Sequence, residues 1–368
     1  MATEKLDSIL RNHVATDSET KGKLIGASFV VAFYTRALPG ESAWRPVMQL
    51  VEQGRLKLED DMRELVPELA TMQILKGFDG DKPILEDNVN PITLWNLLTH
   101  TVGLGYDIGD PDLVKWSKAV GRTATCNDWS LEGFTTPTKF PPGEGWYYGT
   151  AIDWACQALE KITGDRLSVY VQAHIFDPLG MKDSTWWPEQ LQHVTDRRVQ
   201  MTYRQDDGTL QGGPAPYPIE HEIESGGSGL FTTLRDYGRF IQGFLGGELL
   251  KKETMDLMFT PQLNEQQDEM LNQVATEFHD GFKPEFPRQL RISHGIGGIL
   301  NDDDCPGKRS KGSMSWSGYC NSRWVGWIDP TIGIGAAQMV FLLPYPDAVA
   351  NRLWDQLERT VYSNLMAE

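Results

Sequence analysis

The chain has 368 residues, of which 40% are hydrophobic, enough to bury a sizeable core in one large domain or two. Its 12 Trp, 14 Phe and 11 Tyr fit a globular protein with an aromatic-lined site rather than a disordered one. The formal net charge of −17 repels phosphate backbones and anionic lipid, which excludes nucleic acid and membrane surfaces as partners and otherwise serves solubility.

Cys126, Cys156, Cys305 and Cys320 are scattered without a C-x-x-C pair, so reduced thiols in a cytoplasmic protein are expected, with no zinc site and no disulfide framework. Met1 to Asn12 is charged and has no apolar run, so no signal peptide is expected, nor is a membrane span anywhere in the chain.

Leu6, Ile9, Leu10 and Val14 recur at helical spacing and predict an opening amphipathic helix. Leu24 to Tyr34 reads as a buried strand. Val47, Leu50 and Val51 begin a short helix that Gly54 ends, and Pro91 to His100 is another, with Thr93 as its cap. Trp146 to Gly149 turns into a helix from Ile152 to Thr163, closed by Gly164. Leu234, Tyr237, Phe240, Ile241, Phe244 and Leu245 mark a further helix. Ser313 to Trp316, Arg323 to Asp329 and Ile332 to Leu343 then read as three antiparallel strands, and Val349 to Leu365 stripe a final helix.

Sheet signals at both ends with helices between them predict an α+β fold, an antiparallel sheet flanked by helices with a mostly helical inserted region. Residues 1–85 and 290–368 form the sheet-containing part, residues 86–289 the insertion, and the whole is one catalytic unit.

Five stretches carry a resemblance: MQLVEQGRLKLEDD from Met48, NPITLWNLLTHTVGLGYD from Asn90, PPGEGWYYGTAIDWACQALEKITG from Pro141, the run from Phe176 to Met181, and GSMSWSG from Gly312. Each is weak alone. Their joint order resembles the serine β-lactamase-related superfamily, which includes class C β-lactamases, penicillin-binding-protein-like esterases and the fungal transesterases that acylate polyketide alcohols. The resemblance implies the β-lactamase/transpeptidase-like fold. It also implies a Ser in S-x-x-K as nucleophile, a Lys one helical turn on as its base, and a Tyr that shares the proton traffic. Backbone N–H groups, including those of an edge strand after the third motif, would stabilise the oxyanion.

By this resemblance Tyr148 takes the Tyr role. Trp316, Ser317 and Gly318 match the W-x-G form of the third motif, with Gly where a ligand approaches the strand backbone. The S-x-x-K block is absent: counting back about three helical turns from Met48 lands on Ala37, with Gly40 in the Lys place. Ser18 to Lys21 is a literal S-x-x-K, but it precedes the first strand and reads as a solvated turn. Ser42, near the start of the shortened helix, is either the substitute nucleophile or a helix cap. Arg45 holds the Lys spacing; its guanidinium is no base but can stabilise an anion.

His100 reads as a loop-bracing histidine. His294 before GIGG and His221 near Ser225 to Gly229 stand beside glycine clusters that could shape a pocket rim. Asp302 to Asp304 is a solvated acidic run with no metal-ligand pattern. The expected function is acyl transfer or ester hydrolysis on small esters or thioesters through an acyl-serine, with a small-molecule acyl donor and acceptor and no cofactor. Two alternatives stay open: a pseudoenzyme that binds a ligand in the old pocket, and a coding sequence that has lost its nucleophile block.

Overall fold

The computed structural model describes residues 2–16, 18–33, 44–218, 220–247 and 249–365. In chain order its strands are β1 (Ser28–Phe33), β2 (Ile74–Asp79), β3 (Lys82–Glu86), β4 (Met201–Arg204), β5 (Leu210–Gly213), β6 (Ile292–His294), β7 (Ile299–Asn301), β8 (Met314–Trp316), β9 (Arg323–Asp329), β10 (Ile334–Met339) and β11 (Leu342–Leu343). Among the described residues the main sheet is antiparallel with order β1-β10-β9-β8-β7-β6. The first and last stretches of the chain therefore share one sheet, as the α+β reading expects.

Alternation along β1 explains the layers. Phe29 and Val31 pack with Trp327, Ile334 and Trp354 under the helices Ala2–His13 and Ala348–Leu365. Val30 and Ala32 turn to the other face, where the helix Leu234–Leu245 lies. There Gly238 gives the close approach: a Cβ at that position would sit 2.7 Å from Val30 Cγ2. Every residue of β10 is buried, as befits a strand covered on both faces.

The helix ends follow their local chemistry. Thr93 accepts from Asn96 N–H, in a reciprocal capping box at the start of Leu94–Leu98. Gly164 closes Ala151–Thr163 at φ 77° and Gly54 stands at φ 69° just after Trp44–Glu52, left-handed positions where glycine meets no Cβ penalty. Among the described residues no helix is long and apolar enough to cross a membrane.

Three expectations are corrected. The strand expected over Leu24 to Tyr34 covers Ser28–Phe33 and is mostly half-buried, because β1 ends the described sheet; Leu24 instead bridges Val14. The run Ile332 to Leu343 is two strands: β10 ends at Met339, and β11 pairs in parallel with β4 in a separate sheet, β11-β4-β5. Residues 295–298 join a hairpin, β6 to β7, with Gly295 N–H bonded to Gly298 O at 2.9 Å. That hairpin pairs with β8, so the W-S-G strand is not an edge.

Candidate active site

Tyr148 sits in the turn before the helix Ala151–Thr163. The turn lies directly on the backbone of Leu104 and Gly105, since a Cβ at Gly149 would fall 2.4 Å from Leu104 O. A Cβ at Gly105 would in turn lie 2.9 Å from the Tyr147 ring. Two glycines thus let two chain segments touch, and this contact fixes where the tyrosines point.

The two neighbouring tyrosines have different partners. Tyr147 donates its phenol proton to Asp110, which also pairs with Lys139 at 2.9 Å, so it is tied away from Tyr148's partners. Tyr148 accepts from Trp316 Nε1–H at 3.3 Å. The Tyr106 ring meets the Tyr148 ring edge-on at 5.2 Å, and its hydroxyl is a near neighbour that pulls the Tyr148 pKa down. Burial raises the Tyr148 phenol above the ordinary value, against the lowering pull of Tyr106 and Trp316; the nearby Asp153 and Tyr345 raise it further. The phenol is therefore protonated at neutral pH.

Trp316 ends β8, and its neighbour Ser317 shares a hydrogen bond with the Tyr345 hydroxyl at 3.1 Å. Asn321 holds the Tyr345 loop, donating to Leu342 O at 2.8 Å and Pro344 O at 3.1 Å. Gly318 N–H closes the turn to β9 by bonding Ser322 O at 2.7 Å, so that amide is already spent and is no free oxyanion donor. Ser42 lies outside the described residues. Arg45 falls in the helix Trp44–Glu52, its side chain outside the description. Ser18 and Lys21 are exposed in the loop before β1. Among the described residues no group of three or more His, Cys, Asp or Glu is arranged to hold a metal.

Sequence reasoning missed Tyr106, Tyr345 and Asp153. Asp153 is the fifth residue after Tyr148 and is buried. It accepts from Ser225 Oγ at 2.6 Å and Gly227 N–H at 3.0 Å, so the Ser225–Gly229 segment cradles this carboxyl rather than forming a rim. Burial pushes its pKa up to about 6, against those hydrogen bonds. The native state therefore binds more protons than the unfolded chain between about 3.8 and 6, and stability is lost as pH rises through that window. Asp153→Asn keeps the Oδ1 acceptor and removes the charge. Urea unfolding is expected to find the variant more stable than the parent by up to about 3 kcal/mol at pH 8, with the gain gone at pH 4. A difference that does not change with pH would show that Asp153 is not the titrating group.

Sheet and helices together define a β-lactamase/transpeptidase-like α+β scaffold. The chain belongs to the Beta-lactamase family, whose profile matches residues 46–358. It is similar to ML-236A carboxylate methylbutanoyltransferase of Penicillium citrinum, 32% identical over 86% of this chain and 77% of that one. It is also similar to lovastatin esterase of Penicillium rubens, 33% identical over 80% of this chain and 76% of that one. Unliganded simvastatin synthase of Aspergillus terreus superposes with a TM-score of 0.86 at 27% identity, covering 100% of both chains. EstCE1, a hydrolase with promiscuous acyltransferase activity, shares the fold at a TM-score of 0.72 and 16% identity, over 98% of both chains.

Proposed function

We propose that this chain is an acyltransferase or esterase of fungal secondary-metabolite type, acting on small esters or thioesters through an acyl-serine intermediate. The observation that carries the reading is the Tyr148 phenol, which accepts from Trp316 and which burial keeps protonated. In this reading Ser42 Oγ adds to the acyl carbon, Tyr148 gives its proton to the oxygen or sulfur that leaves the tetrahedral intermediate, and the Tyr148 phenolate takes up the proton that the Ser42 hydroxyl loses. Trp316 and Ser317 line the acyl group's place at the end of β8, and Gly318 shapes the turn beside it. Ser42 is the nucleophile and Arg45 steadies the developing anion. A small acyl donor and a small acceptor are the partners, and no cofactor takes part. The sheet-containing ends and the helical insertion act as one catalytic unit. The free cysteines suit the cytoplasm.

The test is intact-mass spectrometry after incubation with an activated methylbutanoyl thioester and, separately, a fluorophosphonate. A single stoichiometric adduct mapped to Ser42 is expected. A second reading, ligand binding without turnover, rests on the missing S-x-x-K: Ala37 and Gly40 stand where its Ser and Lys would be. It predicts no adduct from folded chain, together with a ligand-induced rise in Tm.

A further inference from the structure

His100 stands where the chain pays for an unusual backbone. It is buried and follows the helix Leu94–Leu98 at φ 57°, a left-handed conformation that non-glycine residues rarely adopt. Its ring stacks on Trp316, with centroids 5.7 Å apart and planes 12° from parallel. The same ring meets Tyr148 edge-on at 4.9 Å. His100 therefore touches both partners of the Trp316–Tyr148 hydrogen bond.

His294 completes the backing. It lies 5.7 Å from His100 and 5.7 Å from Trp316, in a box closed by Trp146 and Phe282. Its Nδ1 is 2.5 Å from Gly295 O and must donate there, which leaves Nε2 as a bare acceptor. His294 Nε2 and His100 Nδ1 are buried with no hydrogen-bond partner. Burial holds both imidazoles neutral, His294 lowered to about 4 and His100 well below its ordinary value by burial and by His294. The ring contacts of the pair are with other aromatic rings, and among the described residues neither makes an ion pair to a carboxylate. That arrangement suits neither a proton relay nor a cation site.

We propose that His100, backed by His294, is a positioning residue whose flat ring sets Trp316 and Tyr148 at hydrogen-bonding distance. Histidine fits because it combines two properties no other common choice does. It tolerates the left-handed backbone better than phenylalanine or tyrosine, and unlike asparagine it carries a ring that can stack.

Two variants separate those properties. His100→Asn keeps the backbone preference and removes the ring; His100→Phe keeps the ring and loses the backbone preference. The readout is the Trp316 indole N–H resonance in protein labelled with 15N-tryptophan, assigned by its loss in Trp316→Phe. In His100→Asn this one resonance is expected to move and broaden while the other indoles and the Tm hold. In His100→Phe the resonance is expected to stay near its parent position although the Tm falls. The kcat arm alone rests on the proposed acyl transfer: His100→Asn lowers kcat about tenfold with KM within twofold. An unmoved Trp316 resonance in His100→Asn overturns the proposal, whether or not the chain turns over. A shift of all indoles together overturns it too, since that marks a purely structural histidine.

Discussion

Arg309→Ala is expected to lower unfolding stability by about 3–5 kcal/mol, measured in urea at neutral pH. Arg309 is fully buried between β7 and β8. Its Nε and Nη2 donate to the two oxygens of Glu358 at 2.8 and 3.1 Å, and Nη1 donates to Gly326 O at 3.3 Å. The guanidinium lies over the rings of Phe286 and Trp327 at 4.8 and 5.5 Å. Glu358 is on the helix Ala348–Leu365, so this bidentate pair ties the segment leading into β8 to the terminal helices. Removing the arginine strands a carboxylate that is itself fully buried, with Lys308 at 3.4 Å the cation left to it among the described residues. The opposing carboxylates hold Arg309 charged more firmly than usual even though burial disfavours the charge. Because most of the loss is the orphaned Glu358, the double variant Arg309→Met with Glu358→Leu is expected to recover at least half of it. A loss below about 1 kcal/mol in the single variant would mean that water reaches and screens the pair.

How much was readable in advance depended on the range of the signal. Thr93 as a cap, Gly54 and Gly164 as stops, and the apolar stripes of the terminal helices are local patterns, and each stands where its chemistry puts it. Tyr148 and the W-S-G stretch were legible through family resemblance, and the structure brings Tyr148 and Trp316 into contact across 168 positions of chain. Strands β6 and β7 were not legible, because three residues are too few for an alternation to show, and Gly295 to Gly298 reads equally as loop. Asp153 left a faint trace as the one acid among this helix's buried residues, which include Trp154, Ala155, Cys156 and Leu159. Its partners Ser225 and Gly227 lie too far along the chain for any periodicity to reveal. Tyr106 and Tyr345 are alike in this: a tyrosine in a loop looks the same whether its hydroxyl meets solvent or a partner within the fold. The spent amide of Gly318 is likewise a matter of turn geometry and not of composition.

Tyr148→Phe is expected to lower kcat/KM for a methylbutanoyl thioester by about 10²–10⁴-fold, the range for loss of one general acid. Folding should change far less. The substitution deletes one acceptor, leaving Trp316 Nε1–H to find another partner, worth about 1 kcal/mol. Trp316→Phe keeps the phenol and removes only its donor, so a much smaller loss, about tenfold, is expected there. The pH profile distinguishes the role. A phenol held above its ordinary value of 10 stays protonated across the neutral range, so a Tyr148 that donates gives a rate level from neutral pH up to that value. Were Tyr148 the base instead, only the small ionised fraction would work, and the rate would climb about tenfold per pH unit over the same interval. A climbing profile would therefore make Tyr148 the base, and a profile that levels off early would point to a cation lowering its pKa, with Arg45 the first residue to replace. A level profile that disappears in Tyr148→Phe assigns the proton to Tyr148.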